Sequence, residues 1–201
     1  KTPTTEKWFA ATKDVSPVKG VANIGFNRSV TGNLELLPLE YKDGTTSVTF
    51  SGLNMDYFNT EKATEIKVDG YMDALKVSLV DPKGAPFQAE LNGLTLASNL
   101  TKSSFGFYVG QNTVVLSNST FTFGPEQAVL TVKGFEQKDS SDTKDNNLDG
   151  RVDYKITEIG YQGKPVGSAA MAVSVKNIDV PSTMVLTKLY QDKMQPVQAA
   201  Q

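Results

Sequence analysis

The stretch Asp145-Asn146-Asn147-Leu148-Asp149-Gly150-Arg151-Val152-Asp153 comes nearest to a known piece of chemistry. Oxygen-bearing residues two apart, followed by a glycine that permits a sharp turn, are the first half of a calcium-binding loop. Asp145, Asn147, Asp149 and Asp153 are therefore the calcium candidates. The place of the bidentate carboxylate that closes such a loop is taken by Ile156, and a strand pattern rather than a helix follows. An acidic hairpin with Asp-Gly turn chemistry accounts for the same residues. No resident metal is expected.

Other spacings are weaker. Ser16-Pro17-Val18-Lys19 and Ser141-Asp142-Thr143-Lys144 match a serine–lysine hydrolase spacing, but no Lys-Thr-Gly or Ser-Asp-Asn accompanies either. The carboxylate pairs Glu61/Glu65 and Asp69/Asp73 would suit acid–base work in a pocket, yet lie beside turn signals with lysines close by, as solvated charge does. Asn27-Arg28-Ser29, Asn99-Leu100-Thr101 and Asn118-Ser119-Thr120 are glycan acceptors in a eukaryotic secretory source only. The chain has no histidine and no cysteine, which removes imidazole bases, thiolate nucleophiles, disulfides and the commonest metal ligands together. No nucleophile, base and orienting group can be assembled, so we expect a protein that is not an enzyme and carries no cofactor; a cryptic hydrolase is the remote alternative.

Charge excludes a further class. With 22 acidic and 20 basic residues the net charge is −2, and no basic run exists to hold phosphates, so no nucleic-acid partner is expected. The only arginines are Arg28 and Arg151. No apolar run is long enough to span a membrane and no signal-peptide pattern opens the chain, which begins at Lys1. Our expectation is a mature form or fragment whose targeting segment lies outside it.

The elements that must position any site are strands. Thr46–Phe50, Leu75–Leu79, Phe87–Leu91 and Val152–Ile156 alternate apolar and polar residues, the pattern of antiparallel sheet packed on one side. Turn signals at Gly44, Gly84, Gly124 and Gly163 recur 39 to 40 residues apart, and Gly52, Gly93 and Gly134 follow at spacings of 41. Each of the latter sits in an apolar-polar-Gly-apolar context that marks a bulge or kink within a long strand. Val175-Lys176-Asn177-Ile178 reads as a fourth copy, because asparagine is the other residue that tolerates left-handed backbone.

The fold expected is an all-β single domain over 1–201: a long curved antiparallel meander of about eight strands, built from ~40-residue hairpin repeats between about 20 and 180. Longer polar turns are expected at Asn99–Ser104 and Lys138–Asp149. A C-terminal helix, with Ser182 as its cap and Val185, Leu186, Leu189 and Tyr190 at helical spacing, is expected over about 182–195. Thr5 caps a shorter expected helix with Trp8 and Phe9, and Gln195–Gln201 reads as a frayed tail.

One helix of that length spans only about 20 Å and cannot cover the apolar face of such a sheet. The sheet must close into a barrel, fold into a sandwich, or leave a groove for a ligand or another chain. Val48, Phe50, Leu53, Met55 and Tyr57 on one strand, with Phe105, Phe107 and Val109 on another, either form the core or line that groove. An open meander also has unpaired edges through which copies can associate.

Leu37-Pro38-Leu39-Glu40-Tyr41-Lys42-Asp43, followed by Val48-Thr49-Phe50-Ser51-Gly52, resembles the YdgA-like family of Gram-negative bacteria, bacterial domain of unknown function 945. Phe87–Leu96, Val129–Phe135 and Asp153–Ile156 are similar in order and spacing, so the resemblance covers roughly Val21 to Tyr190. It implies a periplasmic, mostly β body tethered to the inner membrane by a helix absent from this chain, with no established activity and no catalytic residues to transfer. A lipid or an envelope protein is the partner expected, the lipid by fold-level analogy with curved β-meanders that hold acyl chains.

Overall fold

The computed structural model describes residues 16–80 and 84–193, together with Glu6, Phe9 and Ala10. The expected N-terminal cap at Thr5, the turn residues Asp81–Lys83 and the tail from Gln195 lie outside the described residues. Eleven described strands form one antiparallel sheet: β1 (Val18–Ile24), β2 (Val30–Leu36), β3 (Leu39–Asp43), β4 (Thr46–Phe50), β5 (Leu53–Asn59), β6 (Glu65–Val80), β7 (Pro86–Lys102), β8 (Tyr108–Phe123), β9 (Ala128–Lys144), β10 (Asn147–Tyr161) and β11 (Lys164–Asp179). Helix α1 (Val180–Lys193) follows directly. The strand order is β1-β2-β5-β6-β7-β8-β9-β10-β11, with β3 and β4 continuing the hairpin alongside β6, and the sheet stays open with β1 and β3 at one edge and β11 at the other.

The repeat explains this count. Pro38 interrupts one long strand into β2 and β3, and Ser51-Gly52 divides the next into β4 and β5, whose halves pair with opposite halves of β6. Eight long strands result, with short β1 added at one edge.

The glycines spaced 41 apart fall on one line across the sheet. Through the registers, Gly52, Asp73, Gly93, Ser117, Gly134 and Thr157 stand side by side, and ladder pairing is interrupted at each junction. Gly52, Gly93 and Gly134 take φ of 98°, 69° and 60°, where an L side chain is strained. The strands between them contribute hydroxyls. Ser117 Oγ donates to Gly93 O at 3.2 Å, Thr157 Oγ1 to Lys133 O at 2.8 Å, and Ser51 Oγ accepts from Ala74 N at 2.9 Å. Backbone groups released from the ladder thus find side-chain partners, as polar groups in a sheet must. The alternation changes phase at this row. In β6 the apolar residues are Ile66, Val68 and Met72 on one side of it but Leu75, Val77 and Leu79 on the other.

Asn177 has the left-handed backbone expected, φ 55°, but not the level expected. It stands opposite Asp149, whose Oδ1 accepts its N–H at 2.7 Å, while the row would meet β11 near Ser168. Its bulge shapes the exit to α1.

The far turns are shorter than expected. Lys138–Lys144 and Asn147–Asp149 are strand, joined by the two-residue turn Asp145-Asn146, where both φ are positive, 49° and 68°, as in a type I′ hairpin. β7 likewise runs to Lys102, and its loop is Ser103–Phe107. Polar residues on both faces hid these strand ends, because alternation needs an apolar set to be visible.

Burial is slight. Among described residues the buried apolar side chains are Met72 (6%), Val109 (8%) and Val180 (3%), and α1 packs chiefly on β11. No described helix is long and apolar enough to cross a membrane.

Candidate functional site

The eight apolar residues expected to line one groove separate into three groups. Leu53, Met55 and Tyr57 share one face of β5 and pair with Leu36, Leu34 and Gly32 of β2. Val48 and Phe50 lie beyond the kink row, opposite Val77 and Leu75. Phe105 and Phe107 sit in the β7–β8 loop, their rings stacked at 6.2 Å, and Val109 faces the other side of the sheet, in register with Thr101.

Phe107 belongs to an apolar cleft. Its ring, Leu148 at the start of β10 and Ile178 at the end of β11 form one wall, and Val180 and Met184 of α1 form the other. Thr183, Thr187, Lys188, Gln191 and Asp192 line the rim, and the space measures about 720 Å³, within the range of small-molecule sites.

Local chemistry fixes this geometry. Val180 donates its N–H to Asn146 O at 2.9 Å, which pins the helix start to the tip of the β9–β10 hairpin. Asp179, not Ser182, caps the helix: its Oδ1 accepts the Ser182 N–H at 2.8 Å, and Pro181 occupies the first turn, where no N–H is needed. Hydrogen bonds from the Ser182 hydroxyl and then its N–H hold the Asp179 carboxyl below the usual carboxylate range. The helix is turned otherwise than its apolar spacing suggests. Val180, Met184, Val185 and Gln191 line the cleft, whereas Leu186, Leu189 and Tyr190 lie outside its lining and are 65%, 49% and 49% exposed.

The opposite face of the sheet is polar. Directly opposed residues share a face, so Lys67, Asn99, Gln111, Ser140, Arg151 and Ser174 form one row, beside Asp69, Ala97, Thr113, Lys138 and Asp153. A shallow depression of about 560 Å³ there is lined by Gln111, Ser140, Asp142, Asp149, Arg151 and Lys176 among others. Arg151 is committed to Asp153, whose carboxyl its hydrogen bond holds low, and Arg28 to Glu61 at 2.8 Å.

The calcium candidates are strung out instead of gathered. Asp145 is in the turn, and Asn147, Asp149 and Asp153 follow along β10, the first two about 7 Å apart and the last about 13 Å further on. Among the described residues no group of three or more Asp or Glu side chains could hold a metal ion. Ser141 and Lys144 are three apart on a strand and face opposite ways. The cleft itself was missed in sequence, although Asp179-Val180-Pro181-Ser182 carries a readable helix start.

A meander with one polar and one apolar face, a kink row and a capped helix at its edge defines a β-repeat protein. The chain belongs to the family described as "Bacterial protein of unknown function (DUF945)", whose model matches residues 1–201. It is 25% identical over 174 residues to Protein YdgA of Escherichia coli (strain K12), covering 85% of this chain and 34% of that protein. The chain thus spans about a third of the length of this curated relative. No solved structure matches it.

Proposed function

We propose that this domain is a non-catalytic module of the bacterial cell envelope, periplasmic and membrane-tethered within a longer polypeptide, that holds a hydrophobic ligand of lipid type against its apolar face. One observation carries the reading. The chain presents 13664 Å² of accessible surface, against about 9,200 Å² for a compact monomer of this mass. Large apolar side chains are exposed on it, including Met171, Val173 and Val175 on β11 and Leu186, Leu189 and Tyr190 on α1. Surface of this kind marks a binding face. Family membership and the likeness to YdgA support the envelope setting.

The test is native mass spectrometry of delipidated and untreated protein, paired with displacement of an environment-sensitive apolar dye. Saturable dye uptake that a lipid extract reverses is expected. A chain that takes up neither dye nor lipid sinks the reading.

A second reading, assembly through strand edges, has its own observation. β11 is 16 residues long, exposed throughout, and carries no charge from Val166 to Val175. Edge strands are ordinarily short, charged or bulged because an open edge templates pairing. Sedimentation across concentration decides it. Self-association that Val173→Lys abolishes supports assembly, and a monomer at every concentration removes it.

A further inference from the structure

We propose that the cleft between α1 and the β10–β11 end binds a single acyl chain with an anionic head group, its tail toward Val180 and its head at Lys188. The inference rests on the hydrophobic-ligand reading above and assigns that ligand to one place.

The cleft is graded along its length. At the pinned end of the helix, Phe107, Leu148, Ile178, Val180, Met184 and Val185 line the cleft with apolar side chains, the hydroxyls of Thr183 and Thr187 are spent on Asp179 O and Thr183 O at 2.7 and 2.9 Å, and Val180 is the most buried of the core residues at 3% exposure. Toward the helix C-terminus the lining becomes Lys188, Gln191 and Asp192. A tail with a polar head matches this gradient, whereas a wholly apolar molecule would leave the rim unused and a polar one would strip water from itself against the floor.

Dimensions narrow the ligand. From Val180 to Gln191 the helix advances about 16 Å at 1.5 Å per residue. An extended alkyl chain advances about 1.3 Å per carbon from bonds near 1.5 Å, so roughly a dozen carbons span the cleft. One such chain fits the 720 Å³ available, with space left for its head group. The sign of the head follows from Lys188, which forms no ion pair among the described residues. Asp192 one turn on disfavours a second anionic group, so a monoanion is preferred to a multiply charged head.

The helix also has the freedom to admit a ligand. It is held at its start by the Asn146 and Asp179 bonds, and its body packs only lightly on the sheet, chiefly against β11. Its distal turns can swing about that anchor without breaking the sheet.

The experiment is titration of the chain by isothermal calorimetry and methyl NMR with dodecanoate, dodecyltrimethylammonium and dodecyl maltoside, all below micelle formation. Dodecanoate should bind with one-to-one stoichiometry and perturb Met184 and Ile178. Met184→Glu, at a half-exposed position that does not hold the fold together, should weaken dodecanoate at least about tenfold, while Leu186→Glu on the outer side of α1 leaves it unchanged. Lys188→Glu should weaken dodecanoate and strengthen dodecyltrimethylammonium. Circular dichroism of each variant confirms that sheet and helix are retained. Dodecanoate binding that Met184→Glu and Lys188→Glu leave intact overturns the cleft assignment but not the ligand-binding reading. Dye uptake without dodecanoate binding does the same, and absence of both overturns both. Equal affinity for all three amphiphiles overturns the head-group assignment.

Discussion

Strands β6 to β9 in the middle of the sheet and strand β11 at its edge have the same length, 16 or 17 residues, and the same antiparallel partnering rule, but they meet their surroundings differently. In the middle each strand is paired on both sides, the interrupted ladder is repaired by Ser117 and Thr157, and Met72 and Val109 are buried. At the edge one side is unpaired, every residue of β11 is exposed, and a helix touches the strand without covering it. The same repeat is finished in the centre and unfinished at the margin. What separates the two is the number of neighbours, since a single sheet layer buries side chains only between adjacent strands.

Matched substitutions measure that contrast. The largest effect is expected from Gly134→Ala against Gly167→Ala. A methyl on Gly134 meets Thr157 Oγ1 and lies 3.0 Å from its Cγ2 at a φ of 60°, so a loss of about 3 kcal/mol is expected from left-handed strain and the displaced hydroxyl. Gly167 has open space around it and positive φ is not required, so its alanine should change stability by under about 0.5 kcal/mol. Equal losses in denaturant titrations would erase the distinction.

Next come the two methionines. Met72→Ala, at 6% exposure, should lower stability by about 2 kcal/mol. Met171→Ala, at 56%, should stay within about 0.5 kcal/mol while reducing uptake of an apolar dye.

The smallest effect concerns α1. Because hydrogen bonds from Ser182 depress the folded pKa of Asp179, the cap contributes above the unfolded carboxylate pKa and is lost as pH falls through the depressed value. Acidification below the ordinary carboxylate range should therefore release helix signal before the sheet unfolds, and Asp179→Ala should remove that early phase. Helix and sheet melting together with pH would contradict the independence of the margin.

Much of the centre was legible in the sequence because glycine spacing reports geometry directly. Gly52, Gly93 and Gly134 recur at twice the length of a strand and its turn, which places them on one row. Their hydroxyl partners were not legible, since Ser117 and Thr157 acquire meaning only through register. Asn177 was read correctly for its backbone and wrongly for its level, because the turns after β9 and β10 are shorter than the repeat predicts. The margin was less readable still. Val185, Leu186, Leu189 and Tyr190 are spaced as a buried helical stripe, but with the helix start held by the Asn146 and Asp179 bonds only Val185 of the four lines the cleft, beside Val180 and Met184. Phe107 reaches the cleft across a loop whose conformation depends on Ser103 and Gly106, a contact no local pattern encodes.

The most direct test of a complete centre beside a ligand-seeking margin is backbone hydrogen exchange measured with and without dodecanoate. Slow exchange throughout β6 to β9, unaffected by the ligand, together with fast exchange in α1 and the Leu148 and Ile178 ends of β10 and β11 that slows on binding, is the expected result. Protection of α1 without ligand, or ligand-induced protection confined to the central strands, would contradict it.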